Sequence, residues 1–476
     1  MSAAPKRVVI LGGGITGLST AYHLQEQIRD ERLTATVSLL ESDQRLGGKI
    51  LTEVRDGFII EGGPDSFISQ KPWAMELCHK LGLSAHLERT NTHQTQTYVF
   101  NNGSIIPLPN GLMLLAPTRL MPFLKTPLFS WPGKLRMGLD LLLPSKKADE
   151  DESLAGFVRR RLGQEAVDRL AGPMMAGIYA GDPERMSLKA TFPQFAEMER
   201  NHRSLTLGML ARRRETMESG PRSAGPPPTM FMTLRGGLIE LVDTLTRRLD
   251  RVELVTGRKA VGLRREGGRS RLTLSDGMMI EADAVVFTTP AYVTAELIEP
   301  LDPSIAQELR GIPYVSTATV SLAYRKEGFG HPLNGFGFVV SDGQNRKIMA
   351  CTWTSTKFPH RAPADHLLLR CFVGGARQER LAQLPEEELV RMVREELRDI
   401  LGIAAQPVLA RVFRWDRANP QYEVGHLDRV ARIEKALASH AGLVAAGAAY
   451  RGIGIADCIR QGQEAAARVV ASLRTT

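Results

Sequence analysis

Apolar and polar positions change period several times along the 476 residues. Val8–Leu11 is a short, partly β-branched apolar run, the pattern of a strand buried on both faces. Leu18, Ala21, Tyr22 and Leu24 then recur at helical spacing, and Val37–Leu40 restores the strand pattern. Strand, helix and strand in that order predict a parallel βαβ unit. Two short strands flank the turn pair Asp56-Gly57, and Pro72–Leu81 reads as a helix. Thr97–Phe100 and Ser104–Ile106 lie either side of Asn102-Gly103, a two-residue hairpin turn.

From Pro107 to Arg214 the pattern is helical. Ser153 is placed as an N-cap, with Leu154, Phe157, Val158, Arg161 and Leu162 on one face, and Gly177–Asp182 reads as a compact loop between helices. Leu135–Leu143 is amphipathic, which suits core packing, a membrane-facing surface or a substrate tunnel. Ser219–Pro228 is an irregular linker. Beyond it Gly236–Leu249 predicts a helix, and strands follow at Val252–Val255, Lys259–Leu263, Arg271–Leu274, Met278–Ala282 and Ala284–Thr288, with Asp276-Gly277 as a turn. Val315–Tyr324, Gly337–Val340, Lys347–Trp353 and Leu367–Val373 alternate like strands of an antiparallel sheet. Glu386–Leu401 is an amphipathic helix, Val408–Trp415 another strand, and Gly442–Gly447 a small apolar strand before a helix to about Leu473.

With 43% apolar and 24% charged residues the composition is that of a globular protein of two or three domains. The net charge of +9 favours an acidic small molecule or an anionic surface. Dispersed basic residues and 6% aromatics argue against nucleic acid. Cys78, Cys351, Cys371 and Cys458 lie far apart, as expected of reduced thiols in a cytoplasmic protein, and no metal ligand set is visible. Val8–Leu11 is too short for a leader's apolar region. Leu112–Leu124, the nearest approach to a membrane span, is broken by Pro117, Arg119 and Pro122, so the expected contact with a membrane is peripheral, at its inner face.

The chemistry is concentrated at the two ends. Gly12-x-Gly14-x-x-Gly17 follows the first strand and opens the first helix, and Glu41 ends the second strand. This is the dinucleotide fingerprint in its proper context. Gly12 permits the tight turn, Gly14 admits a pyrophosphate to the backbone, and Gly17 lets helix and strand touch. Free amides at the helix start face the diphosphate. Glu41 accepts from ribose hydroxyls and disfavours a 2′-phosphate. Gly452 and Gly454 sit at the start of the last helix, where outward amides favour negative charge.

Arg45-Leu46-Gly47-Gly48-Lys49 resembles the segment that crosses the flavin diphosphate in the flavin oxidase and desaturase superfamily, which implies FAD. Over nearly its full length the chain resembles the protoporphyrinogen/coproporphyrinogen oxidase family, on the Gram-positive-type coproporphyrinogen III branch. The likeness is carried by GGGITGL at Gly12–Leu18, GGPDSF at Gly62–Phe67, GIYAGD at Gly177–Asp182, TFPQF at Thr191–Phe195, HRSL at His202–Leu205, ACTWT at Ala350–Thr354 and PQYEVGH at Pro420–His426.

The resemblance implies an α/β fold: a Rossmann-like FAD-binding domain of the flavin amine oxidase superfamily, with an α+β substrate domain and a helical subdomain. FAD-binding segments are expected at 1–90, 229–298 and 415–476, substrate-domain strands at 91–106 and 299–414, the helical subdomain at 107–218 and the linker at 219–228. It also implies oxidation of coproporphyrinogen III, a tetracarboxylate, by molecular oxygen in three two-electron steps that release hydrogen peroxide. Hand-off of the product to a ferrochelatase would follow. By position, Gly12, Gly13, Gly14, Ile15, Thr16 and Gly17 would cradle the diphosphate, and Glu41 with Ser42 would bind ribose. Arg45, Gly48 and Lys49 would run along the diphosphate and flavin. Gly62, Gly63, Pro64 and Asp65 would pass the isoalloxazine, Ala260 would meet adenine through its backbone, and Trp415 would pack beside the flavin. Ile453, Gly454 and Ile455 would cover its pyrimidine end. Lys71 and Arg451 are the candidates for the substrate carboxylates and Tyr179 for a pocket wall. The resemblance assigns neither a catalytic nucleophile nor a metal, since the flavin carries the redox step. Protoporphyrinogen IX oxidation, amine oxidation and non-catalytic porphyrin binding are the alternatives.

Overall fold

The computed structural model describes residues 5–109, 112–113, 116–117, 119–146, 150–218 and 228–475. All but the last residue of the expected linker 219–228 lies outside the described residues, as does part of Leu112–Leu124.

Lys6–Leu11 runs at the centre of a five-stranded parallel sheet. Ala35–Leu40 and Ala284–Phe287 flank it, and Val252–Val255 and Leu443–Ala445 form the edges. Val8, Val9 and Ile10 are fully buried, so the strand has no polar face and reads as an unbroken apolar run. On one side Val8 and Ile10 join Leu18 and Leu24 of the helix Ile15–Asp30 and Ile459 and Val469 of the terminal helix Ile455–Thr475. On the other, Val9, Leu11 and Phe287 meet the antiparallel strands Ala260–Glu266, Arg269–Leu274 and Met279–Ala282 and the helices Ala291–Ile298 and Pro303–Arg310.

A second sheet has seven strands, in the order Leu409–Pro420, Tyr314–Arg325, His366–Gly374, Ala350–Thr352, Gly337–Val340, Thr97–Asn101 and Ser104–Pro107. Its pairings are antiparallel except that Gly337–Val340 runs parallel to Thr97–Asn101. The Asn102-Gly103 hairpin forms as the sequence predicts, with φ of +49° and +75° at its two turn residues. Helix Glu386–Leu401 buries Leu389, Val393 and Leu397 against this sheet.

Between the sheets in sequence lies a group of helices with its own core around Phe157, Leu162, Phe195 and Leu205. Ser153 caps Leu154–Leu162 by accepting from Gly156 N at 3.0 Å. Arg161 lies on the buried face of that helix and is fully enclosed, donating to the Asp140 carboxylate at 2.6 Å and to the Pro144 carbonyl at 3.0 Å.

Gly177–Asp182, expected as a loop, begins inside a helix. Gly177, Ile178 and Tyr179 close Gly172–Tyr179, and the chain leaves it at Ala180, which has φ +51°. An interior glycine weakens a helix without ending it. Three boundaries also move: Gly236 and Gly237 precede the helix Ile239–Arg248, only Ala350–Thr352 of 347–353 is strand, and the strand from Leu409 continues past Trp415 to Pro420.

Candidate cofactor and substrate site

Gly12 leaves the central strand with φ +106° and Gly14 is the N-cap of the first helix. A Cβ on Gly17 would lie 1.9 Å from the Gly12 carbonyl oxygen, so the fold itself demands that glycine. A Cβ on Gly14 would meet nothing within 4 Å. The space over the helix start is therefore open, a cradle that a side chain would fill. Ile15 and Thr16, both buried, are the first residues of the helix. Glu41 faces this turn: its Oε2 accepts from Gly13 N at 2.6 Å, while Oε1 accepts from Asp43 N at 2.9 Å and the Ser42 hydroxyl at 3.0 Å. Gly47 N donates to Gly13 O at 2.8 Å, which stitches the second glycine pair to the first. Arg45 folds back onto the Ile50 carbonyl at 3.1 Å and onto that of Gly48. Lys49 donates to the Ala418 carbonyl, and burial lowers the pKa of its ammonium. Ala260 is buried at the start of its strand.

The loop Gly62–Asp65 is held from the seven-stranded sheet. The Gly62 carbonyl accepts from Trp415 Nε1 at 2.8 Å, from Thr319 Oγ1 at 3.0 Å and from Arg370, which also donates to Gly63 O. Before it, Glu61 pairs with Arg361 at 3.0 Å, both side chains almost wholly buried. Burial raises the Glu61 pKa and the Arg361 charge opposes that. After Pro64, Asp65 pairs with Lys357 at 2.9 Å. Burial alone would raise the Asp65 pKa, but Lys357 and then Arg370 overcome it and hold the carboxyl well below the usual range. Lys357, Arg361 and Arg370 are site residues that sequence reasoning misses. They lie about three hundred residues from their partners, and no local spacing announces such a contact.

Near the end of the sequence, Ile453 is half-buried, Gly454 is exposed and Ile455 opens the terminal helix. Lys71, the residue before the helix Pro72–Lys80, reaches across to this turn, and its Nζ lies 2.6 and 2.8 Å from the two Asp457 carboxylate oxygens. Tyr179 comes to the same place: burial first, and then the Asp457 charge, raise its phenol pKa. Arg451 turns away and pairs with Glu434 at 2.6 Å. Lys71 is thus paired with Asp457, whose charge also reaches Tyr179, Arg451 does not join them, and both cations are ion-paired. Cys458 is a free, buried thiol.

Two helix starts, an acid at the second strand's end and a loop braced from a second sheet give an α/β protein with the backbone of a dinucleotide fingerprint. The model of the flavin containing amine oxidoreductases matches residues 15–470. The chain belongs to that family and has its mixed α/β fold. It is 39% identical over 466 residues to the coproporphyrinogen III oxidase of Bacillus subtilis (strain 168), spanning 98% of each chain. It is 32% identical over 482 residues to protoporphyrinogen oxidase 1, chloroplastic, of Spinacia oleracea, with 97% of this chain and 84% of that one covered. A crystal structure from Exiguobacterium sp. 255-15, provisionally assigned as a protoporphyrinogen oxidase, matches with a TM-score of 0.87 at 33% identity, covering 99% of this chain and all of the other.

Proposed function

We propose that the chain binds FAD and oxidises coproporphyrinogen III to coproporphyrin III with molecular oxygen as acceptor. The observation that carries this reading is the full-length likeness to the Bacillus subtilis enzyme, which spans the helical and sheet regions as well as the cradle. The cradle fits the cofactor: the open space at Gly14 leaves room for a diphosphate, and Glu41 is fixed beside it.

A bound flavin would supply the two-electron redox chemistry, with oxygen as final acceptor and hydrogen peroxide as its reduced product. The protein's own residues bind and orient. The free amides and the dipole at the start of the first helix would hold the diphosphate, and Glu41, which itself fixes Gly13 N, would accept from ribose. The 61–65 loop is kept rigid by Arg361, Lys357 and Arg370, and the helix start at Gly452–Ile455 favours added negative charge. Lys71 and Tyr179 line the approach. A tetracarboxylate would compete with Asp457 for Lys71.

Protoporphyrinogen IX is the second substrate to consider, because of the spinach relative. Porphyrin fluorescence appearing under air, with both porphyrinogens run in parallel on the FAD-loaded protein, tests the choice. Faster turnover of the tetracarboxylate is expected. The reverse order would overturn the substrate assignment, and no response to either would overturn the reaction.

The reading includes contact with an anionic lipid surface. No helix among the described residues is long and apolar enough to cross a membrane. Yet Leu120, Met121, Trp131, Leu135 and Leu142 are each more than 60% exposed. The only charged side chains among the exposed positions of 119–142 are Arg119 and Lys125, and the segment's one acid, Asp140, is buried against Arg161. Apolar side chains among cations without an exposed acid suit a negatively charged bilayer.

A further inference from the structure

Pro420–His426 takes no part in the nucleotide cradle, yet it bonds both to the loop before the terminal helix and to Tyr179. The Tyr422 hydroxyl donates to the Ala448 carbonyl at 2.7 Å and accepts from Gly452 N at 2.9 Å. His426 Nε2 lies 2.8 Å from the Tyr450 carbonyl, so that nitrogen carries the proton and donates. The imidazole stacks on the Tyr422 ring, with centroids 4.0 Å apart and planes 13° apart. Both side chains are buried, at 4% and 3% exposure. Three bonds thus fix alternate residues of the loop 448–452, the loop that delivers the chain to the start of the terminal helix. From the same segment, Tyr422 O accepts from Ser187 N at 2.7 Å and Gln421 Nε2 donates to Tyr179 O at 3.2 Å.

We propose that Tyr422 and His426 are positioning residues for the flavin: they set the height of the 448–452 loop, hence of the Gly452–Ile455 amides, and tie it to Tyr179. This rests on the reading of the chain as an FAD enzyme. Neither side chain needs to touch the cofactor. The effect passes through backbone groups, buried at Tyr450 and half-buried at Ala448 and Gly452, that would lose these partners if the side chains were cut back. Charge on a bound flavin is stabilised only by dipoles held in place before it arrives. Burial keeps the His426 imidazole neutral above about pH 4, so the donor assignment holds across the working range.

The test uses the full chain. Tyr422→Phe keeps the stacked ring and removes both hydroxyl bonds. His426→Leu removes the Tyr450 bond, and His426→Gln restores an N–H of similar reach. Ser341→Ala deletes a comparably buried hydroxyl just past Gly337–Val340, four strands across the seven-stranded sheet from Leu409–Pro420, where Ser341 Oγ donates to Phe100 O at 2.6 Å. Each protein is reconstituted with FAD, and its flavin dissociation constant, visible spectrum and midpoint potential are measured. Expected are flavin binding about ten- to hundred-fold weaker and a lower potential in Tyr422→Phe and His426→Leu. Recovery to within about threefold is expected in His426→Gln, and wild-type values in Ser341→Ala. Wild-type affinity and potential in both disruptive variants, or equal losses in Ser341→Ala, would overturn the proposal while leaving the FAD reading intact. Wild-type protein that takes up no FAD would overturn both.

Discussion

His426 makes acid sensitivity a local and measurable property. Burial lowers its pKa from the usual 6.5 to about 4, with the Tyr450 carbonyl opposing the fall, Arg429 and Arg451 adding to it and Asp151 working against it. Between those two values the unfolded chain binds a proton that the folded chain refuses. The stabilisation is therefore fully present above about pH 6.5 and is lost as the pH falls towards 4. At about 1.36 kcal/mol per pKa unit, this one group costs the fold about 2.5 kcal/mol at pH ~4.5. His426→Gln keeps a donor for the Tyr450 carbonyl and removes the titration. Urea unfolding of both holoproteins at neutral pH and at pH ~4.5 gives the comparison. Wild type is expected to lose about 2.5 kcal/mol more than the variant. The depressed His23, His331 and His360 act in the same direction but are common to both proteins and cancel. Parallel losses, within about 0.5 kcal/mol of each other, would refute the reasoning.

Four further outcomes follow from the geometry. Gly14→Ala, whose methyl enters open space, should leave apoprotein stability nearly unchanged and weaken FAD at least tenfold in a fluorescence titration. Gly17→Ala, forced against the Gly12 carbonyl, should instead lower the unfolding free energy by about 1–3 kcal/mol. Arg361→Met leaves Glu61 buried without its partner and should cost about 3–5 kcal/mol in denaturant unfolding, with much of that recovered when Glu61→Gln is added. In vesicle flotation the protein should rise with phosphatidylglycerol liposomes and not with phosphatidylcholine alone, and Leu135→Asp, at a side chain 72% exposed, should abolish that binding.

What the sequence disclosed was whatever a short window can carry. The apolar run Val8–Leu11 predicts burial on both faces because a central parallel strand has no solvent side. The Asn102-Gly103 turn is legible because positive φ at two successive residues selects those side chains, and Glu386–Leu401 because one face must repeat every 3.6 residues. The cradle is legible for the same reason: Gly12, Gly14 and Gly17 act within one turn. The bracing of the 61–65 loop is not, because Arg370 arrives from a sheet whose order the local period leaves open, and Lys357 and Arg361 from the short helices that precede its strand. Lys71 looks like a free cation in sequence and is an ion pair in space, its partner 386 residues away. Gly177 looks like a breaker, although a helix carried by its neighbours passes through it.

The five-stranded sheet takes its central strand from the first residues of the chain and its last edge strand, Leu443–Ala445, from near the other end. During synthesis Val8, Ile10 and Leu18 are made well before Ile459 and Val469, which cover them. Such long-range closure is slow and exposes apolar surface while it is pending. A nucleotide that needs both helix starts gains nothing from the partial chain, so its stabilising effect by mass action reaches only finished molecules. Cofactor supply therefore acts on the lifetime of the completed protein and leaves the growing chain to whatever shields its uncovered first strand.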